Sequence, residues 1–383
     1  MKVVFLGCTR EFGFGFGANI TKVGYMAKGL TEAGATCVVH NGIVGSEKVV
    51  EDQNVEYDGY RVTTFKKRGS QYISWIRNTR RLYKYLKNER IKEGKNIAVL
   101  ELDLYHIMLL YFFLLKILGY KRIVISHEWG PTIKGEKKLK YYSHCLFAKT
   151  FGWFAEGILP ISEYIIKKTE HFKKPYFKLP IMADFKEEYE YTPLTDNNFV
   201  YCASVYYTRI IKMVINAYAT YKDKGGKIKL TMVLNGLDNY KQEIVKYIKE
   251  KELSERIVIK SKLPYKDLIN EYLNAKALLI PLDPNYEQDE ARFSQKIAEY
   301  LSSKSPIITN NVGEIKYYFN DDEIIKCDFN EDGFAKSFAW VEENNERAKK
   351  IGLKGYERGL KEFDYRYLGK GMYDFCNNIY NKV

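Results

Sequence analysis

Asp283-Pro284-Asn285-Tyr286-Glu287-Gln288-Asp289-Glu290-Ala291-Arg292-Phe293-Ser294-Gln295-Lys296-Ile297-Ala298-Glu299-Tyr300-Leu301, followed by Pro306-Ile307-Ile308-Thr309, reads as an acidic loop, a short helix and a buried parallel strand. Ser294 stands where an N-cap is expected, and the apolar run lacks the alternation of a half-exposed strand. Loop, helix and strand are half of a βαβ unit. Lys296, Glu299 and Ser303 fall at i, i+3 and i+7 and share one polar stripe, while Ile297, Tyr300 and Leu301 point elsewhere to pack. A helix start with unpaired N–H groups, Arg292 just before it and Lys296 in its first turn suits a phosphate, and Glu299 one turn on suits ribose hydroxyls. The same pattern also fits a solvated face with a Lys296–Glu299 ion pair.

Working outward, strand and helix patterns alternate along the chain. Residues 2–6 read as a buried strand, a loop with Gly13, Gly15 and Gly17 follows, a helix runs from Ile20 to near Gly34, and residues 36–39 form the next strand. This is a Rossmann-like opening. The loop formally fits Gly-x-Gly-x-x-Ala, but the second strand ends His40-Asn41-Gly42, without the acidic residue that a dinucleotide ribose requires. A glycine loop that lets backbone approach a ligand, or a tight turn, is the reading that remains. Strand 97–102, helix 105–118 and strand 123–126 continue the alternation, and His127 stands just past the last of these, where α/β sheets bind ligands. The polar run 186–198 reads as an interdomain linker. Beyond it, strands at 199–203, 229–234, 257–259 and 277–280 repeat the alternation.

Between Gly69 and Arg90 runs a helix with Tyr72, Ile76, Tyr83 and Leu86 inward and Arg77, Arg80, Arg81, Lys84 and Lys87 largely outward. That face fits either solvent or an anionic membrane.

With 383 residues the chain holds two ordinary domains, and 46% hydrophobic with 15% aromatic content makes it globular. The formal charge of +13 favours anionic partners, either phosphate-bearing substrates or an acidic surface. No nucleic-acid module is recognisable, so nucleic acid is not expected as a partner. The 6 Cys are scattered, and with the 5 His they form no Cys-x-x-Cys and no close Cys/His cluster, which argues against a zinc site or disulfide framework and makes a reducing cytoplasm the default. The run 107–118 is interrupted by Lys116 and is about half the ~20 residues that a membrane span needs. The opening apolar run is too short for a signal-peptide core.

Residues 294–313, SQKIAEYLSSKSPIITNNVG, resemble the donor-binding segment of glycosyltransferase family 4 and its GT-B relatives, which carry a Lys-x-x-Glu-Tyr-Leu helix followed by a Pro-Val-Ile-x-(Thr/Ser) strand. In that family the Glu matching Glu299 binds the ribose of a sugar nucleotide. A second family Glu, eight residues earlier, contacts the donor sugar. That position is Ala291 here, with Glu290 beside it. Residues 203–221 resemble the family's Gly-Arg-x-x-x-x-Lys-Gly segment and the helix after it, so Arg209 falls on the phosphate-binding Lys, while Ala203-Ser204 replaces the family Gly-Arg. Ser162-Glu163 resembles a strand-to-helix step, and residues 363–383 resemble the terminal helix that crosses back to the first domain.

The resemblance implies the GT-B architecture, α/β with two Rossmann-like domains facing across a cleft. These would be an acceptor domain over 1–187, a donor domain over 188–364, and helix 365–383 packing back on the first. It implies a hexosyltransferase-type enzyme acting with retention and without metal or cofactor. The chain has no Asp-x-Asp, so cations and helix N–H groups must meet the leaving diphosphate. His127, Arg209 and Lys296 become the catalytic candidates, and Gly15, Gly17, Gly236, Leu263, Glu290, Arg292, Ser294 and Glu299 the donor-binding ones. The implied partners are a sugar nucleotide, a lipid-linked or saccharide acceptor, and an anionic membrane surface on the cytoplasmic side, in synthesis of a cell-surface polysaccharide or glycoconjugate. A non-catalytic sugar-nucleotide binder and a basic membrane-associated scaffold are the alternatives.

Overall fold

The structure, a computed structural model, describes residues 1–8, 18–100, 109–133, 137–194 and 197–381. The chain divides into two units, Met1–Ala183 with Ala291–Gln295 and Phe363–Val383, and Asp184–Glu290 with Lys296–Glu362.

Among the described residues, the first unit is built on β1 (Lys2–Cys8), β2 (Thr36–Ser46), β3 (Gln53–Tyr57), β4 (Tyr60–Lys66), β5 (Asn96–Leu100), β6 (Lys121–Ser126) and β7 (Gly157–Pro160). Their order is β3-β4-β2-β1-β5-β6-β7, parallel except for the β3–β4 pair. Val3 to Leu6 and the whole of β5 are buried, as strands covered on both faces must be. The antiparallel edge interrupts the alternation expected from the sequence. It closes through Asp58-Gly59, both at positive φ, between the paired residues Tyr57 and Tyr60. Such two-residue turns match the twist of the strands they join.

On one face, helix Ala18–Glu32 packs against the terminal helix Tyr365–Asn381 around Met26, Leu30, Leu368 and Met372. The two helices touch at glycines: a Cβ on Gly369 would lie 2.5 Å from the Gly29 main chain. Tyr25 stacks on Tyr365 at 5.4 Å, and the Tyr365 hydroxyl donates to Glu32 at 2.6 Å. Just before this helix the Ala183 N–H donates to the Phe363 carbonyl at 3.1 Å, and the Tyr365 N–H to the Ala183 carbonyl at 3.1 Å.

The basic helix Gln71–Glu89 forms as expected, but its inward stripe differs. Ser74, Asn78, Leu82 and Leu86 are buried, whereas Ile76 is exposed. The polar residues turn in because they satisfy main-chain groups beneath them: Asn78 Nδ2 donates to the Val44 carbonyl at 3.1 Å, and the Arg68 N–H donates to Ser74 Oγ at 2.7 Å. Arg81 also leaves the solvated face, lying over the Phe65 ring at 4.4 Å and pairing with Asp52.

The second unit carries β8 (Phe199–Ser204), β9 (Leu230–Asn235), β10 (Ile257–Lys260), β11 (Ala277–Ile280), β12 (Ile307–Thr309) and β13 (Ile325–Lys326). Their order is β10-β9-β8-β11-β12-β13, all parallel, with Phe199 opposite both Leu230 and Ala277. Phe199, Tyr218, Tyr221 and Phe338 pack as one aromatic cluster in its core. The five described cysteine side chains are all free thiols.

Candidate functional site

In the second unit the chain leaves β8 toward β9 and β10 on one side and reaches β11 to β13 on the other. The strand order therefore reverses between β8 and β11, and connections that diverge in this way open a crevice at the carboxyl ends of the strands. The segments after these strands supply the site.

After β8 the chain makes one 3-10 turn, Val205–Tyr207, and enters helix Thr208–Asp223, so Arg209 sits in the helix's first turn. Its side chain is 71% exposed, yet its guanidinium pairs with the buried carboxylate of Asp283 just past β11. One carboxylate leaves other donors of the guanidinium fork available for a second anion.

Asp283 is held by its own loop. The Asn285 N–H donates to its Oδ1 at 3.0 Å, and its N–H donates to Asp289 Oδ2 at 2.8 Å. Asn310, past β12, accepts from the Leu282 N–H at 2.8 Å and donates to the Leu282 carbonyl at 2.7 Å. The acidic stretch expected as open loop contains a short helix, Glu287–Ala291, with Glu287, Asp289 and Glu290 in its first turn. Negative charge there is favoured by the helix dipole. Glu290 pairs with Lys316 at 2.8 Å.

Helix Gln295–Ser302 begins directly after Ser294, and Ile297, Tyr300 and Leu301 are buried as their spacing predicts. The polar stripe is not a solvated face. Lys296 Nζ donates to the Cys202 carbonyl of β8 at 2.7 Å, and Ser303 is buried with its hydroxyl on the Tyr300 carbonyl. Burial pushes the Glu299 carboxyl up to about 7, against the pull of the nearby Lys296 charge. Part of the residue still reaches the surface. Lys296 is thus held on β8 beside the β8/β11 crevice, with Glu299 one turn further along the same helix.

At the neighbouring exits, Gly236 adopts φ +139°, and a Cβ on it would lie 2.3 Å from Val205 Cγ2. Only glycine lets the turn after β9 press against the turn after β8. The Lys262 N–H donates to Asn235 Oδ1 at 3.0 Å, which brings half-buried Leu263 alongside. Exposed Tyr206 and Tyr240 meet edge to face at 5.4 Å beside these turns.

The remaining candidates belong to the first unit. His127 stands just past the carboxyl end of β6, half-buried. Arg292 and Ser294 lie in the segment Ala291–Gln295, which groups with the first unit. There the Ala291 carbonyl accepts from Ser162 Oγ at 2.6 Å, and the Gln295 amide exchanges two hydrogen bonds with the Met182 main chain. Gly15 and Gly17 lie outside the described residues. Among the described residues, no three of His, Cys, Asp or Glu gather where they could hold a metal ion, and no helix is long and apolar enough to cross a membrane.

Sequence reasoning missed Asp283, Asn310 and Lys316. An acidic residue three positions past the apolar run ending at Ile280 was the available signal for Asp283, because residues past the carboxyl end of a parallel strand line the crevice. Lys316 carried none.

Residues 184–358 match the family model described as "Glycosyl transferases group 1", so the resemblance read from residues 294–313 is borne out over this part of the chain. Among curated proteins no sequence relative matches. Several solved structures share the fold. Sucrose-phosphate synthase from Thermosynechococcus elongatus is 12% identical, with a TM-score of 0.74 over 100% of both chains. A glycosyltransferase from Rickettsia africae ESF-5 is 13% identical, with a TM-score of 0.71 over 100% of this chain and 99% of that one. Anabaena HepE in complex with UDP and glucose is 11% identical, with a TM-score of 0.72 over 98% and 99%. At such identities the likeness is one of fold, and it bears out the expected GT-B class with its two Rossmann-like units.

Proposed function

From the match of residues 184–358 to the glycosyl transferases of group 1, we propose that this protein is a glycosyltransferase that moves a sugar from a nucleotide diphosphate donor to an acceptor hydroxyl. The observation that carries the reading is that Arg209 is paired with Asp283 just past β11 and Lys296 is held on β8, with Glu299 one turn along the helix that carries Lys296. Glu299 accepts the ribose hydroxyls, and the two cations meet the diphosphate. A structural neighbour solved with UDP and glucose supports a uridine nucleotide as the first donor to try.

In this reading the bond from the anomeric carbon to the diphosphate oxygen breaks and the acceptor oxygen takes its place with retention. The acceptor proton leaves with the diphosphate. Charge grows on the leaving diphosphate as the bond breaks, so Arg209 and Lys296 act more strongly in the transition state than in the bound donor. No metal is required, since these side chains and helix N–H groups supply the positive charge. The acceptor is lipid-linked or a saccharide, in synthesis of a cell-surface polysaccharide or glycoconjugate on the cytoplasmic side of a membrane.

One observation favours a second reading, a binder without turnover: Ala291 stands where a sugar-contacting carboxylate is expected, and Glu290 is engaged by Lys316. Thermal-shift screening across nucleotide diphosphates and sugar nucleotides identifies the donor. Slow hydrolysis of that donor by purified protein then separates the enzyme from the binder. Absence of stabilisation by any nucleotide diphosphate would overturn both.

A further inference from the structure

The first unit exposes apolar side chains where a water-facing helix should be polar. In helix Lys138–Phe154, Leu139, Tyr142, Leu146 and Trp153 share one stripe, and Leu139 is 84%, Tyr142 66% and Trp153 60% exposed. In helix Leu109–Ile117, Leu110, Phe113 and Ile117 fall at i, i+3 and i+7 and are also exposed, Ile117 by 77%. Phe113 meets Phe154, the last residue of helix Lys138–Phe154, edge to face at 5.4 Å, so the two helices adjoin. Clustered exposed apolar side chains on two adjoining helices mark an interaction site.

Its charge identifies the partner. Helices Leu109–Ile117 and Lys138–Phe154 contain no acidic residue, and Lys116, Lys138 and Lys149 are exposed beside the apolar stripes. Helix Gln71–Glu89 joins the same face of the sheet, because the crossovers from β4 to β5, β5 to β6 and β6 to β7 run in one direction and are right-handed. It adds Arg77, Arg80, Lys84 and Lys87, with Ile73 and Ile76 exposed among them. The three helices hold nine Lys or Arg against one acid, Glu89, which is already paired with Lys2 and Arg61. A second copy of this chain would bring like charge against like. An anionic bilayer satisfies both features, taking aromatic and aliphatic side chains into the headgroup region and the ammonium groups onto its phosphates.

We propose that this three-helix face docks the protein on an anionic lipid surface, with Leu139, Tyr142, Leu146 and Trp153 as the inserting side chains. The proposal gives a surface to the membrane part of the function proposed above and rests on the first unit alone, not on sugar transfer.

The full chain is sedimented with vesicles of phosphatidylcholine, with and without phosphatidylglycerol. Binding is expected only to the anionic vesicles. It weakens by about tenfold or more as the screening length shrinks from about 10 Å at 0.1 M salt to about 3 Å at 1 M. Leu139→Glu combined with Tyr142→Glu places charge in the stripe at exposed positions, and abolishes sedimentation while melting temperature and nucleotide affinity stay at wild-type values. Brominated lipid quenches tryptophan emission, and Trp153→Phe removes most of that quenching, leaving only what Trp75 on helix Gln71–Glu89 contributes. Wild-type protein that ignores anionic vesicles, or a double variant that binds them as well as wild type, overturns the proposal. So does a concentration-dependent dimer that the double variant breaks without any vesicle binding, which would make the face a self-interface. Retained nucleotide affinity in the variants keeps failure here distinct from failure of the transferase reading.

Discussion

Lys296 donates its ammonium to the Cys202 carbonyl of β8 at 2.7 Å, so the Glu299 carboxyl one turn along the same helix feels that ammonium only as a nearby charge. The lysine is thereby fixed to a central strand of the sheet instead of swinging in solvent.

A cation held in place before the donor arrives stabilises the transition state without reorganisation. Lys296→Ala is expected to lower the turnover number by about 10²–10³ while weakening donor affinity less. Turnover is measured as sugar transfer, or donor hydrolysis, with a chelator present. Wild-type turnover in the variant, or loss of wild-type turnover on chelation, would remove the metal-free assignment.

The Glu299 carboxyl is pushed up from 4.5 to about 7 by burial. The folded protein binds this proton more tightly than the unfolded chain does. Its contribution to stability is therefore intact below about pH 4.5, falls as pH rises toward about 7, and is constant above. Ribose hydroxyls need the ionised acceptor, so nucleotide affinity should rise between about pH 6 and about pH 8. Glu299→Gln should flatten both trends, and Glu299→Ala should cost about 1–3 kcal/mol of nucleotide binding. Calorimetry across pH checks this, and a pH-independent wild-type affinity would refute it.

Arg209 and Asp283 can be separated by stability and rate. Arg209→Ala leaves the buried Asp283 carboxylate without its countercharge and is expected to cost about 1–3 kcal/mol of folding stability. Adding Asp283→Asn should restore most of the melting temperature but none of the turnover. Arg209→Lys should recover only part of the rate, since an ammonium lacks the forked geometry. Recovery of turnover in the double variant would show that Arg209 serves the fold alone.

Gly369 tests how the terminal helix is seated. Its Cβ would meet the Gly29 main chain at 2.5 Å, so Gly369→Ala must push two helices apart. The expected cost is about 1–3 kcal/mol, or about 2–4 °C of melting temperature per kcal/mol. The pH dependence of nucleotide binding assigned to Glu299 should not change, because Glu299 belongs to the second unit. An unaltered melting curve would contradict this packing.

Much of the fold follows from local rules that a sequence carries openly. Apolar runs at 2–6, 199–203 and 306–309 had to be buried strands, and the period of Ile297, Tyr300 and Leu301 set the buried face of helix Gln295–Ser302, because chain geometry fixes which side chains share a face. Local pattern did not reveal the β3–β4 edge, whose only marker was Asp58-Gly59, nor the outward turn of Ile76, which was decided by main-chain groups that Ser74 and Asn78 satisfy. The site divides in the same way. Lys296 and Glu299 announced themselves by spacing on one helix. The partners of Arg209 and Glu290, Asp283 and Lys316, are set by which strands become neighbours in the sheet. Pairing across a parallel sheet joins residues far apart in the chain, and no local periodicity records it; only the folded sheet brings Asp283 beside the exit of β8.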